Sequence, residues 1–251
     1  MTWTRLLVGY ALALTVALLV LLDYYNIPSR WMERLRPTEV QTPVARPVAS
    51  YATVKRALIA HYHTRSARIV MLGDSHIDHL SWWEFLGRND VVNRGVGGDE
   101  SLDVLRRLDQ VLALSPCLCV LMVGINDLQH ERPPSLVAAR IGEIVARLRR
   151  HGVHVLLVSV LPVGLTFKRH PVWVNLGVAT LNRSLRALAD TPGVDYMDLT
   201  KELAPDGFMP AQRTLRDGLH FTADVYLVWR QRLQAYLARW EASGGCRRAH
   251  H

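Results

Sequence analysis

Hydrophobic positions fall into three regimes along the chain. Residues 6–22 form an unbroken apolar run, residues 37–50 show no periodicity, and from residue 51 short apolar runs alternate with amphipathic stretches. The short runs lie at 68–72, 91–93, 118–123, 155–160 and 194–197, and are β-branched or continuously apolar at strand length. Between them, Leu102, Leu105, Leu108 and Leu112 predict one helix face. Leu136, Ile141, Ile144, Val145 and Leu148 predict a second, with Arg140, Glu143 and Arg147 opposite, and Val178, Leu181, Leu185 and Leu188 a third. Apolar strands alternating with helices predict an α/β fold whose parallel sheet is covered on both faces. In such sheets ligands bind beyond the carboxyl ends of the strands, which says where to look for chemistry.

The first regime predicts a membrane segment. Residues 6–22 carry no charge, and at 1.5 Å per residue they cover about 26 Å, close to the roughly 30 Å hydrocarbon core. Trp3, Tyr10, Tyr24, Tyr25 and Trp31 supply interfacial aromatics. The rival is a cleaved signal peptide, but no small-x-small site precedes the sequence DYYNIPSRW. An uncleaved transmembrane signal anchor is therefore expected over 1–25, followed by a juxtamembrane segment and Pro-rich linker over 26–50. A globular domain is expected over 51–243 and a polar tail over 244–251. Arg5 faces Arg30, Arg34 and Arg36 across the run, so charge alone does not orient it. The default for such an anchor places the domain on the exported side, periplasmic or extracellular.

Composition narrows this further. With 49% hydrophobic and 21% charged residues in 251, the chain has ample material for a core, which excludes general disorder. The net charge of +8 is spread over several helices, with no basic stripe and no nucleic-acid motif. Solvated helix faces account for it, with an anionic membrane surface as the alternative. Three cysteines give no disulfide framework and no zinc spacing. Cys117 and Cys119 sit two apart on one face of a strand, and Cys246 lies in the tail.

Four loops at strand ends or helix starts carry candidate chemistry. Gly73-Asp74-Ser75-His76 places a serine on a strand-to-helix turn, with its N–H near a helix N-terminus. Asn93-Arg94-Gly95-Val96-Gly97-Gly98-Asp99 offers backbone N–H groups that glycine leaves approachable. Gly124-Ile125-Asn126-Asp127 offers a side-chain amide. Asp217-Gly218-Leu219-His220 puts a carboxylate and an imidazole three residues apart, just before Thr222 at the start of the last helix. A serine hydroxyl needs a base, which His220 can be near neutral pH, and Asp217 can fix the imidazole tautomer. The N–H groups of Ser75 and Gly98 and the Asn126 amide can hold a developing oxyanion. Each tetrad alone is a common turn or surface pair; order, spacing and placement at successive strand ends give them weight together.

These four blocks, GDSH, NRGVGGD, GIND and DGLH, resemble those of the SGNH (GDSL-type) hydrolase family. Similarity is greatest to its bacterial lipase/acylhydrolase and platelet-activating-factor acetylhydrolase-like branches. The resemblance spans the globular domain and implies Ser75 as nucleophile, Gly98 and Asn126 as oxyanion donors, and Asp217 and His220 completing a triad. It also implies a three-layer α/β/α, flavodoxin-like fold with a five-stranded parallel sheet, and neither metal nor organic cofactor. One departure is His76 where the family name has leucine, a position that varies among the resembling proteins.

Other readings remain beside this one. His76-Ile77-Asp78-His79 looks like a metal-ligand run, but the histidines such patterns need upstream are missing and a helix would not put these residues on one face. His76 is expected to face solvent rather than line a pocket, His130 is undecided, and Trp82, Trp83 and Phe85 read as core. The expected substrate is a small-molecule, lipid or glycan ester, with no nucleic-acid partner. The alternatives are a deacetylase of envelope glycan, an O-acetyltransferase, and a membrane-anchored acyl- or glycan-binding module. The intact Ser75, Asp217, His220, Gly98 and Asn126 set argues against the last.

Overall fold

The computed structural model describes residues 14–21, 50–62 and 66–246. The chain divides into two units, Met1–Val48 and Ala49–His251, and each is described by itself. In the first, residues 14–21 are helical, and Leu14, Val16, Leu18, Leu19, Val20 and Leu21 are exposed. That stretch belongs to the expected anchor; the rest of the anchor, and the linker up to residue 49, lie outside the described residues. Among the described residues no helix is long and apolar enough to cross a membrane.

The second unit opens with helix α1 (Tyr51–Ala60), whose first turn is capped by the Ser50 hydroxyl accepting the Thr53 N–H at 3.2 Å. Strands β1 (Ile69–Gly73), β2 (Val91–Gly95), β3 (Leu118–Met122), β4 (His154–Val158) and β5 (Val194–Met197) follow in alternation with helices. They form one five-stranded sheet, order β2-β1-β3-β4-β5, with every pair parallel, as the sequence pattern predicts. Gly73 at the end of β1 is level with Gly95 on one neighbour and Met122 on the other. The loops leaving β1, β2 and β3 therefore start side by side.

Alternate strand residues feed two cores, because successive side chains point to opposite faces. Val70, Leu72, Cys119, Leu121, Val155 and Leu157 pack with α4 (Ser101–Arg106), α5 (Leu108–Leu112), α7 (Pro134–Arg150) and α8 (Pro171–Leu188). Ile69, Met71, Leu118, Val120, Met122, Leu156 and Val158 pack with α3 (Trp82–Leu86) and the last helix, α10 (Ala223–Ala242). Trp82 and Trp229 are wholly buried on that second face, their ring centroids 5.0 Å apart. Trp83, in contrast with its neighbour, is exposed, so the expected Trp82–Trp83–Phe85 core group is only partly core.

Three expectations are corrected. The Leu102–Leu112 pattern is not one helix face: α4 and α5 break at Arg107, and the buried line is Val104, Leu108 and Val111. At the break Arg107 is buried and turns its guanidinium inward, where a charge must find partners. On α7, Val137 occupies the core place predicted for Leu136, which is exposed. Finally, the cysteines do form a disulfide. The chain turns back after α10, the Gly245 N–H donates to the Trp240 carbonyl at 2.9 Å, and Cys246 bonds Cys117 with their Cα atoms 5.6 Å apart. Sequence separation hid this pair, which closes a loop of 129 residues.

Closing so long a loop restricts the unfolded chain, an effect worth typically about 2–4 kcal/mol. Cys246→Ser, or reduction of the wild type, is expected to lower the melting temperature by about 5–15 °C for a domain of this size. Thermal denaturation with and without dithiothreitol checks this; superimposable curves would contradict it.

Candidate active site

Each strand-end loop is shaped by close backbone approach and by buried polar side chains. Gly73 lies so close to the Met122 carbonyl that no side chain fits there. The chain then turns into the short helix α2 (Ser75–Asp78), whose N-cap Asp74 accepts the His76 N–H at 3.0 Å. Asn93 fixes the far end of α2: its Nδ2 donates to the carbonyls of Ile77, Asp78 and Leu80 at 2.9, 3.2 and 2.8 Å. Its Oδ1 accepts the Gly95 N–H at 2.7 Å, which carries β2 two residues beyond its predicted end.

Ser75 is brought together with the DGLH residues. Ser75 Oγ lies 3.0 Å from His220 Nε2, and His220 Nδ1 lies 2.6 Å from Asp217 Oδ2. Asp217 Oδ1 accepts the N–H groups of Leu219 and His220 at 2.9 and 3.0 Å. Burial works to raise the Asp217 carboxyl, but the hydrogen bonds from His220 and Leu219 outweigh it and hold the group below its ordinary value. An ionised Asp217 accepts the Nδ1 proton, leaving the Nε2 lone pair toward Ser75. Thr222 stands at the N-cap of α10 as predicted, although its hydroxyl donates to the Gln212 carbonyl at 3.2 Å instead of capping.

Gly98 adopts φ +82°, a left-handed conformation that favours glycine. Its N–H and that of Ser75 bond no other group among the described residues. The preceding Gly97 packs beside Ser75, and its N–H donates to Asp78 Oδ2 at 2.8 Å. Asn126, in α6 (Ile125–Gln129), is buried; its Nδ2 donates to the Asp99 carbonyl at 2.9 Å and its Oδ1 accepts from Gln129 Nε2. One amide hydrogen is thus used in orientation, and the second remains available. Gly98, Asp99 and Asn126 are joined in a short bonded chain.

Several residues without an assigned role in the sequence organise these loops. Asp99 is wholly buried; its carboxylate accepts from Arg107 Nε at 2.7 Å and from Arg56 Nε at 2.8 Å, while Arg107 also donates to the Gly73 carbonyl at 3.1 Å. Asp127 accepts the Ser101 N–H and hydroxyl at 2.7 and 2.6 Å, fixing the start of α4 against α6. Lys55 of α1 pairs with Asp78. The available signals were an asparagine inside an apolar strand and an arginine interrupting a leucine pattern. His76 is corrected outright: its ring is buried, its Nε2 lies 3.1 Å from the Leu219 carbonyl, and burial pushes its pKa down to about 3. His79 lies near the site, its ring 4.9 Å from that of His220, and His130 is exposed and bonded to Glu100 at 2.9 Å.

Comparison with known proteins places the family and the fold. The sequence profile of the GDSL-like lipase/acylhydrolase family matches residues 71–228. Among solved structures, a GDSL-like lipase from Bacteroides thetaiotaomicron superposes with a TM-score of 0.65 at 22% identity, over 76% of this chain and 99% of that one. A candidate acylhydrolase from Bacteroides fragilis gives 0.65 at 23%, over 76% and 99%. A candidate platelet activating factor from Streptococcus pneumonia gives 0.63 at 23%, over 74% and 91%. These likenesses concern the fold. No curated protein sequence matches the chain.

The turn that carries Ser75 is expected to respond to pH. Asp74 is buried with Oδ2 unpartnered among the described residues, and burial pushes its carboxyl from 3.8 up to about 7. A folded value above the ordinary one favours the neutral form, so this stabilisation is full below pH 3.8 and is lost as pH rises through about 7. Asp74→Asn stays neutral and is expected to remove that slope, gaining about 2–3 kcal/mol on wild type between pH 5 and pH 8. Urea denaturation at both pH values checks it, and an unchanged difference between the two proteins would contradict it.

Proposed function

The chain belongs to the GDSL-like lipase/acylhydrolase family and is a hydrolase acting on ester bonds; from that premise we propose a serine esterase that works through an acyl-enzyme on Ser75. The observation that carries this reading is the bonded series Ser75–His220–Asp217, at 3.0 and 2.6 Å. His220 Nε2 removes the hydroxyl proton as Oγ attacks the ester carbonyl, and Asp217 holds the imidazole tautomer and stabilises the imidazolium. The Ser75 and Gly98 N–H groups and the Asn126 amide receive the oxyanion as the tetrahedral intermediate forms. His220 then returns the proton to the leaving alcohol, releasing it. A water molecule, deprotonated by His220 in turn, cleaves the acyl-enzyme to carboxylic acid and free Ser75. No metal or cofactor enters this cycle.

The reading extends to placement. An anchor over 1–25 tethers the domain to a membrane, with the domain on the exported side. The uncharged run at 6–22 supports the anchor, and the Cys117–Cys246 disulfide supports an oxidising compartment. Esters of lipid or of envelope glycan are the substrates within reach of such a tether.

Hydrolysis of p-nitrophenyl esters from acetate to palmitate by the full-length chain tests the proposal. Ser75→Ala is expected to abolish turnover, and a wild type with no activity above that variant would contradict the esterase reading. Asn126→Ala is expected to lower kcat about 10²–10³-fold with KM little changed, as for loss of one oxyanion donor. An unchanged kcat would remove Asn126 from the oxyanion hole.

A further inference from the structure

His76 stands directly after the proposed nucleophile, where the GDSL pattern has leucine. A leucine there could only pack. The imidazole instead grips the segment carrying His220 at two points. Its Nε2 lies 3.1 Å from the Leu219 carbonyl, and its ring lies flat on Phe221 with centroids 4.0 Å apart and planes 13° from parallel. Leu219 and Phe221 are the two chain neighbours of His220. Besides the Ser75–His220 contact, the His76–Leu219 bond is the one hydrogen bond among the described residues that runs from α2 to this loop.

We propose that His76 is a positioning residue, which holds the His220 backbone against the nucleophile helix so that His220 Nε2 stays in register with Ser75 Oγ. This rests on the Ser75–His220–Asp217 reading and adds to it. A carbonyl only accepts, so Nε2 of His76 carries the proton and donates. The side chain is 2% exposed and faces Asp74, whose Oδ1 is 3.6 Å from its Nδ1, together with His220, His79 and Asp217. Burial keeps it neutral through the working range of an esterase, so it sets no like charge beside the imidazolium formed at His220. The tether matters because its target is otherwise on the surface: the Asp217 side chain is 48% exposed and that of His220 25%. Backbone bonds also restrain the loop, among them Leu215 N–H to the His220 carbonyl at 2.7 Å, Gly164 N–H to the Gly218 carbonyl at 2.8 Å and Thr222 N–H to the Arg213 carbonyl at 3.1 Å. None of these joins it to α2. A base displaced by a fraction of an ångström from its nucleophile loses rate without losing substrate.

Three substitutions in the full-length chain separate the donor from the ring. His76→Phe keeps an aromatic ring against Phe221 and removes the donor; His76→Leu restores the motif residue; His76→Gln keeps a donor without the ring. On the best p-nitrophenyl ester, His76→Phe and His76→Leu are expected to lose kcat about 10-fold with KM unchanged, measured well below their melting temperatures. His76→Gln is expected to recover most of that loss. Folded Phe and Leu variants with wild-type kcat would overturn the proposal, and so would equal losses in His76→Phe and His76→Gln. Activity persisting in Ser75→Ala would instead overturn the triad on which it rests.

Discussion

The face that carries the proposed site depends on one buried charge pair. Arg107 and Asp99 are both nearly or wholly out of solvent, and an unpartnered charge there would cost several kcal/mol. The guanidinium therefore reaches two places at once, the Asp99 carboxylate and the Gly73 carbonyl. Gly73 closes β1 just before Ser75, and Asp99 ends the loop that carries Gly98. The Asp99 carbonyl in turn receives the Asn126 amide. One side chain thus ties the Ser75 turn to the glycine loop and, through the Asp99 carbonyl, to the asparagine loop.

Around that pair the site is built mostly from backbone positions held by side chains that do no chemistry. Asn93 collects three carbonyls at the end of α2, Asp127 holds the first turn of α4, and Arg56 and Lys55 bring α1 down onto Asp99 and Asp78. Preorganisation of this kind is what an oxyanion-stabilising site requires, since donors that must reorient during reaction contribute less. The His220 loop is the exception. Its Asp217 and His220 side chains are partly exposed, and it is joined to α2 by His76 and by the Ser75 contact. Rigid loops from neighbouring strands and a tethered outer loop suit the proposed cycle, in which His220 shuttles a proton twice.

The sheet was legible in the sequence because its strands are buried on both faces and read as continuous apolar runs; β5 matches its predicted limits. Ser75, Gly98, Asn126, Asp217 and His220 stood out as candidates from motif order at the strand ends, and the fold brings Ser75, His220 and Asp217 into hydrogen-bond contact. What escaped were pairings between residues distant in the chain. Arg107 is held by the Gly73 carbonyl, 34 residues earlier, as well as by the wholly buried Asp99. His76 was expected in solvent because its partners, Leu219 and Phe221, lie more than 140 residues away. Cys117 and Cys246 meet only once α10 has folded along the sheet. Local periodicity carries no information about such partners.

The most direct test of the account is covalent labelling with a fluorophosphonate, an electrophile that traps an activated serine. The full-length chain would be treated near neutral pH, digested, and the adduct located by mass spectrometry. The account predicts one phosphonylated residue, Ser75, with labelling lost when His220 is replaced by alanine. An adduct on a different serine, or ester hydrolysis that continues with Ser75 unlabelled, would contradict it.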